Sequence, residues 1–263
     1  MTEQEYNAAE GIRRSALWKL TRSPAHFKYE LDNPPEPTPA LVLGAATHMA
    51  ILQPDEFWNQ YAIRNLDLRT KAGKEERDAL QAQGLTILNS DQAAQISGVF
   101  EAINNNEAVL RLLAGERETA YFWTDEATGE RCKCRTDSEV DISGMHYIVD
   151  LKTCTDASTD AFMRDALKYG YHVQAAMYCE GVKHVTGKDS QFVFIAVEKT
   201  PPYAINILQA DDAFMLHGFD EFRRLIGIYH ECKTADKWPD YSGANGLTIN
   251  ALSLPKWLKD MVE

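Results

Sequence analysis

The spacing of apolar residues divides the chain into a mainly helical N-terminal part and a mixed C-terminal part. A helical pattern begins at Ser15, and Ser23 followed by Pro24 provides the cap and first-turn residue of a second helix. Residues 44–52 are apolar and small, which favours a helix that packs closely on a sheet. Ser90 is expected to cap a further helix that runs to about residue 113.

Two stretches between these helices lack an apolar face. Residues 33–39 contain four prolines, so we expect an extended linker or covering loop there. Residues 66–85 are rich in Lys, Glu, Arg and Gln and are expected to be exposed.

From Glu118 onward the pattern alternates as strands do, and turn residues such as Gly129 and Gly144 punctuate it. This predicts strands at 119–123, 131–135, 147–151, 191–198 and 203–208, and helices at 159–167, 171–182 and 211–230, with a short helix after Pro255. The order predicts an α/β fold in which a mixed central sheet is flanked by helices and preceded by a helical N-terminal portion. The length of 263 residues suits a single domain.

Composition and charge narrow the class of protein. No apolar run approaches the length of about 18 residues that predicts a membrane span, and the polar start lacks the pattern of a signal peptide, so we expect a cytoplasmic protein without membrane contact. The five cysteines include no CxxC pair, and we expect reduced thiols in or near the core. The net charge of −12 argues against a surface that grips nucleic acid everywhere, although basic residues can still line a local channel.

The segment from Arg135 to Lys152 carries the candidate chemistry. Asp150 and Lys152 are two residues apart at the predicted end of a strand, so both side chains lie on one face. Asp137 ends a preceding strand and adds a second carboxylate. Two carboxylates can hold a hard divalent cation, which polarises a phosphate and acidifies a bound water, while the lysine orients that water or helps deprotonate it. An Asp-x-Lys pair at a strand end is also common as a solvated ion pair.

Three further positions could contribute, and each also has an ordinary structural explanation. His48 stands in an otherwise apolar helix, as a core histidine with a polar partner would. Gln174 and Tyr178, four residues apart, share one helix face and could bond a nucleotide or a metal-bound water. Glu118 could be a further carboxylate at the rim of a metal site.

Together these segments resemble the PD-(D/E)xK nuclease superfamily, in particular the RecB-like and RecE-type phage and prophage exonucleases. The resemblance spans roughly residues 12–208 and includes a GxxxH-like segment at 44–48, Arg135-Thr136-Asp137, the DxK strand at 148–153 and a QxxxY-like helix at 169–178. It implies a single nuclease domain over 1–263, with a helical portion at 1–115 that carries the His48 motif, a catalytic core at 116–210, and a C-terminal helix and tail at 211–263.

The resemblance also implies a role for each matched residue. Asp137, Asp150 and the backbone carbonyl of Leu151 would ligate Mg²⁺, or Mn²⁺ as an alternative, with His48 as a further ligand and Glu118 at the rim. Lys152 would act on the attacking water, and Gln174 and Tyr178 would position DNA or support the site. Relatives with an iron–sulfur cluster carry a cysteine quartet, and only Cys232 lies in the corresponding C-terminal region, so we expect no cluster here.

The implied activity is degradation of one strand of linear duplex DNA, 5′ to 3′, leaving a 3′ single strand for recombination. Expected partners are DNA ends, other copies of the chain in a ring (a tetramer is favoured) and a RecT-type single-strand annealing protein, in the cytoplasm of a bacterial host. Arg69, Lys71, Lys74 and Arg77 are candidates for DNA contacts, or are solvated charges on the surface of a helix. Two alternatives remain open: a structure-specific endonuclease of the same fold, and a non-catalytic DNA-binding assembly subunit.

Overall fold

A computed structural model describes residues 1–243 and 248–254. Its N-terminal part is helical, as predicted, with a short two-stranded parallel sheet inserted. The elements are α1 (Glu3–Ala8), α2 (Arg14–Leu17), a 3-10 helix (Trp18–Thr21), α3 (Pro24–Asp32), α4 (Pro39–Leu52), α5 (Pro54–Gln60), β1 (Tyr61–Ile63), α6 (Lys71–Ala82), β2 (Thr86–Leu88), α7 (Ser90–Asn104) and α8 (Glu107–Leu112).

Helix starts follow from capping residues, and these explain where the predicted boundaries shift. The Ser23 side chain accepts a hydrogen bond from His26 N, and Pro24 opens α3 as predicted. Pro39 likewise opens α4 under a Thr38 cap, so this helix begins before the predicted residue 44. The single helix predicted from 90 to 113 is two helices, because Asn106 caps a new start. Asn89, and not Ser90, caps the first of them.

The C-terminal part forms a five-stranded mixed sheet with helices between and after its strands. The strands are β3 (Glu116–Thr124), β4 (Arg131–Ile142), β5 (Met145–Cys154), β6 (Ser190–Glu198) and β7 (Ile205–Gln209), and the helices are α9 (Thr159–Tyr169), α10 (Tyr171–Thr186) and α11 (Asp212–Ala235). The strand order is β3-β4-β5-β6-β7, with β5 and β6 parallel and the other pairs antiparallel. The predicted fold class is confirmed.

The two faces of the sheet pack against different helices. On one face, Ile148 belongs to a buried cluster with Val173 of α10 and Phe222 of α11. On the other, Val149 packs with Ile51 of α4 and with residues of α7 and α8. This alternation along β5 places Asp150 on the α10 face, which fixes the position of the candidate site.

Four other expectations concern membrane spans, an exposed segment, the cysteines and the C-terminal region. Within residues 1–243 and 248–254, no helix combines the length and the apolar character needed to cross a bilayer. The segment predicted at 66–85 is largely exposed and contains α6. All five cysteines are buried free thiols. The short helix predicted after Pro255 lies outside the described residues.

Candidate metal centre and active site

The central strands bring three carboxylates of distant sequence position together. The register of the flanking pairs places Glu118 of β3 opposite Asp137 of β4, and Asp137 opposite Asp150 of β5. Two predicted positions need correction. Asp137 does not end its strand but lies inside β4, and Glu118 does not precede the first strand but lies inside β3. Both strands are longer than their apolar alternation indicated, because polar side chains of the site occupy the continuation.

His48 reaches this carboxylate group from α4. Its Nε2 lies 2.6 Å from Asp137 Oδ2, and its Nδ1 lies 3.7 Å from Glu118 Oε1. One ligand atom of each of these three residues lies within 4.8 Å of the other two. Burial disfavours the charged imidazole, but Asp137 and Glu118 outweigh it and raise the pKa of His48 above its ordinary value. The three residues form a negatively charged cluster of nitrogen and oxygen donors.

Asp137 is held by the backbone of β5 as well as by the histidine. The Leu151 N–H donates to Asp137 Oδ2 at 2.7 Å, the same oxygen that His48 contacts, so the other oxygen keeps its lone pairs for a ligand. Burial acts to raise the pKa of Asp137, yet His48, the nearby Lys152 and this backbone bond hold it below its ordinary value. The carboxylate is therefore charged at neutral pH.

Asp150 and Lys152 lie on one face of β5, as their spacing predicts. Lys152 Nζ is 2.5 Å from Asp150 Oδ2, and Gln174 Nε2 of α10 donates to Asp150 Oδ1. Asp150 is only 1% exposed. Burial and the charge of Asp137 raise its pKa, against the opposing charge of Lys152. Apart from the contact with Lys152, Oδ2 has no hydrogen-bond donor in the described part of the chain.

Gln174 is itself fixed by a residue that the sequence analysis missed. Arg14 Nη2 donates to Gln174 Oε1 at 2.8 Å, which orients the amide so that its NH₂ points at Asp150. Tyr178, one turn further along α10, packs with its ring 6.3 Å from that of Phe192. Among the described residues it forms no hydrogen bond to the carboxylate group. The structure therefore gathers the side chains of six predicted residues: His48, Glu118, Asp137, Asp150, Lys152 and Gln174. Leu151 contacts the group through its N–H, and Tyr178 lies beside it.

The donor set suits a divalent cation. Three carboxylates face two cationic side chains, Lys152 and the Arg135 that pairs with Glu118 at 2.8 Å. Oxygen donors are what Mg²⁺ prefers, and an added imidazole is acceptable to Mn²⁺. The residues present therefore fit such an ion.

Comparison with known proteins places this site in a family. The model of the family described as "PDDEXK-like domain of unknown function (DUF3799)" matches residues 14–249. The chain belongs to this PDDEXK-like family. A search of curated protein sequences found no match.

Two solved structures were compared with this PDDEXK-like chain. It is similar to a crystal structure described as "Putative exonuclease" from Eubacterium rectale, with a TM-score of 0.66 and 17% identity over 99% of this chain and 97% of that one. The structure of SSO0001 gives a TM-score of 0.38 and 11% identity, over 85% of this chain and 81% of that one. The first likeness shows a shared fold, in agreement with the PDDEXK-like family that the sequence matches.

Glu118 has an unusual backbone conformation within the candidate site. Its φ of 54° is in the left-handed region, which costs a non-glycine residue about 1–2 kcal/mol. Arg135 pairs with Oε2 of Glu118 and so holds the carboxylate in place, while Oε1 of Glu118 lies on the side of His48. Sequence reasoning had no signal for this pair, because an Arg–Glu contact across two strands depends on the register.

The four basic residues predicted for DNA contacts lie on α6 or directly before it. Three of them face acids: Arg69 Nε–Asp67 Oδ1 at 2.9 Å, Lys71 Nζ–Glu75 Oε1 at 3.5 Å and Arg77 Nη2–Asp78 Oδ1 at 2.6 Å. Lys74 has no ion pair within the described residues. Exposed ion pairs are weak, so phosphates could still compete for these side chains.

Proposed function

We propose that this chain is a magnesium-dependent exodeoxyribonuclease that degrades one strand of linear double-stranded DNA. The family and the fold support a nuclease. The observation that carries the proposal is the meeting of Asp137, Asp150 and Lys152, which come from two neighbouring strands, with His48 from a separate helix. A phosphodiester hydrolase needs these elements together: carboxylates for a cation, and an ammonium group beside the reacting phosphate.

Each residue has a task in this proposal. Asp137, Asp150, His48 and the Leu151 carbonyl would hold Mg²⁺ or Mn²⁺, with Glu118 at the rim. When bound, the ion polarises the phosphate and acidifies a water molecule. Lys152 Nζ orients the attacking water and offsets the negative charge that grows on the phosphate oxygens. Gln174 keeps the Asp150 carboxylate in one orientation, and Tyr178 supports the adjoining helix face.

The finer features extend the proposal. We infer 5′ to 3′ polarity, a 3′ single-stranded product and hand-over to a RecT-type annealing protein during recombination in a bacterial cell. A tetrameric ring would keep the enzyme on DNA and could place basic side chains along the bore while the outside stays acidic. These features follow from the resemblance to RecE-type enzymes.

A digestion assay tests the proposal. Linear duplex labelled at either the 5′ or the 3′ end is incubated with magnesium, beside covalently closed circular DNA. We expect the linear DNA to be shortened and the circle to survive. Asp150→Asn should reduce the rate by at least about 100-fold. Asp141→Asn, an exposed aspartate on β4, is the matched control and should keep full activity.

Other outcomes would replace the proposal. Cutting of the closed circle would indicate an endonuclease. Binding of DNA without any digestion, in the presence of Mg²⁺ or Mn²⁺, would indicate a non-catalytic subunit. Full activity of Asp150→Asn would show that the carboxylate cluster is not the catalytic centre.

A further inference from the structure

Two tyrosines stand beside the candidate site at the junction of α9 and α10. Tyr169 ends α9, Tyr171 begins α10, and Gly170 between them has a left-handed φ of 72°. This sharp turn brings the two rings to a centroid distance of 6.0 Å with 35° between their planes. The candidate chemistry assigns neither ring a task.

The two rings differ in packing and in exposure. Tyr171 is packed, with its centroid 5.9 Å from Phe162 and 6.0 Å from Phe194. Tyr169 is 44% exposed. The pair therefore consists of a fixed inner ring and an accessible outer ring.

Cationic side chains flank this pair of rings on both sides. Lys152 Nζ lies 4.9 Å from the centroid of the Tyr171 ring, and Arg14 Cζ lies 5.9 Å from it. Lys168 Nζ lies 5.0 Å from the centroid of the Tyr169 ring. The order along this surface is Lys152, Tyr171, Tyr169, Lys168.

Arg14 and Lys168 keep their charge available. The hydrogen bonds of Arg14 go to neutral acceptors, the Tyr169 carbonyl at 2.9 Å and the Gln174 amide oxygen. Lys168 forms no ion pair within residues 1–243 and 248–254. This distinguishes them from three of the four basic residues near α6, whose charges face carboxylates.

We propose that Tyr169 and Tyr171, with Arg14 and Lys168, form a platform for unpaired nucleotides of the strand being cut. Aromatic rings stack on the faces of bases without regard to sequence, and cations that flank the rings can contact the phosphates of the same strand. A paired base inside a duplex offers no free face, so the platform selects a frayed or single-stranded end. This proposal rests on the proposed nuclease function. It identifies a frayed or single-stranded end as the part of the substrate that first reaches Lys152 and Asp150.

Binding without cleavage tests the platform. Fluorescence anisotropy is measured with a labelled single-stranded oligonucleotide and a blunt duplex, in the presence of a chelator. Tyr169→Ala should weaken single-strand binding by at least about fivefold, the lower end of what one base–aromatic stack contributes. Tyr169→Phe keeps the ring and should bind like the wild type. The matched control is Tyr29→Ala, which removes a tyrosine that is 68% exposed on α3.

An abasic oligonucleotide separates stacking from a general loss of affinity. Removal of the bases should weaken binding by the wild type more than binding by Tyr169→Ala, because only the Tyr171 ring remains to stack in the variant. Lys168→Ala serves as a second variant if Tyr169→Ala does not fold, and it should weaken binding most at low salt.

Three results would overturn the platform: Tyr169→Ala binding like Tyr29→Ala, an equal abasic loss in both proteins, or an equal loss for duplex and single strand. Failure of the nuclease proposal has a different signature. In that case the wild type shows Tyr169-dependent single-strand binding but does not cut linear DNA with magnesium.

Discussion

Replacement of Gln174 by leucine tests whether a buried hydrogen-bond relay holds the site together. Gln174 is 3% exposed and joins Arg14 on one side to Asp150 on the other. Leucine has a similar volume, so the change removes two polar contacts without a large cavity. The loss should therefore report the hydrogen bonds themselves.

The two contacts are unequal. A hydrogen bond to a charged group contributes about 1.5–3 kcal/mol. Arg14 is only partly buried and retains the Tyr169 carbonyl as an acceptor, so the loss of its hydrogen bond to Gln174 should change the free energy of unfolding little. Asp150, which is almost fully buried, loses its one side-chain amide donor and keeps only the contact with Lys152. We expect a loss of about 2–3 kcal/mol, out of a total stability of about 5–15 kcal/mol.

Urea and thermal denaturation measure this loss. For a chain of this size the change corresponds to a fall in the thermal midpoint of about 4–12 °C. Gln209→Leu is the control, because Gln209 donates to Gln191 at the surface between two neutral amides, and its loss should stay within about 0.5 kcal/mol. If Gln174→Leu is no less stable than Gln209→Leu, the relay does not anchor Asp150.

Three further predictions concern the turn, the acid stability and the metal. In urea denaturation, Gly170→Ala should lower the free energy of unfolding by about 1–3 kcal/mol more than Gly187→Ala does. Both glycines have a left-handed φ, but only at Gly170 would a Cβ meet a ring atom of Trp18, at 2.4 Å. Equal losses would contradict this. Burial acts to raise the pKa of Asp125, but hydrogen bonds that include one from Arg223 outweigh it and hold this pKa below its ordinary value. The charged carboxylate therefore adds to the stability of the fold above the unfolded pKa of about 3.9, and this contribution is lost as the pH falls through the folded pKa. The stabilities of wild type and Asp125→Asn should differ at about pH 7 and converge in acid, and a difference that does not change with pH would refute this. Magnesium at about ten times its Kd should stabilise the protein by about 1.4 kcal/mol in a thermal scan, and a chelator should reverse the shift; no shift at any millimolar concentration of magnesium or manganese would count against the metal centre.

The parts of the fold that could be predicted depend on local pattern. Alternation identified the three strands that carry the site, and a period of two placed Asp150 and Lys152 on one face. The short parallel strands β1 and β2 were missed, since three residues each are too few to show a period. The break at Asn106 was also missed, because the apolar spacing continues across the two helices that it separates.

The parts of the site that could not be predicted depend on long-range packing. Arg14 lies 160 residues from Gln174 in the chain, and their contact exists only because α2 packs beside α10. Arg135 and Glu118 meet through the register of two strands and a left-handed backbone that the sequence does not mark. Such contacts depend on how several secondary-structure elements are placed relative to one another, whereas a sequence motif describes residues within a single element.

The net charge of −12 is compatible with DNA binding because the charges are unevenly distributed. Phosphates respond to the cations nearest to them, and screening limits interactions between exposed charges to about 8–10 Å. Near the site, Arg14 bonds only to neutral acceptors and Lys168 has no acidic partner in the described residues, while Glu118 and Asp137 are already turned toward His48. A DNA strand that enters along Tyr169 and Tyr171, as proposed, would meet the cations Arg14 and Lys168 at its phosphates. The separation of the two charge types, and not their sum, decides whether an acidic chain can act on a polyanion.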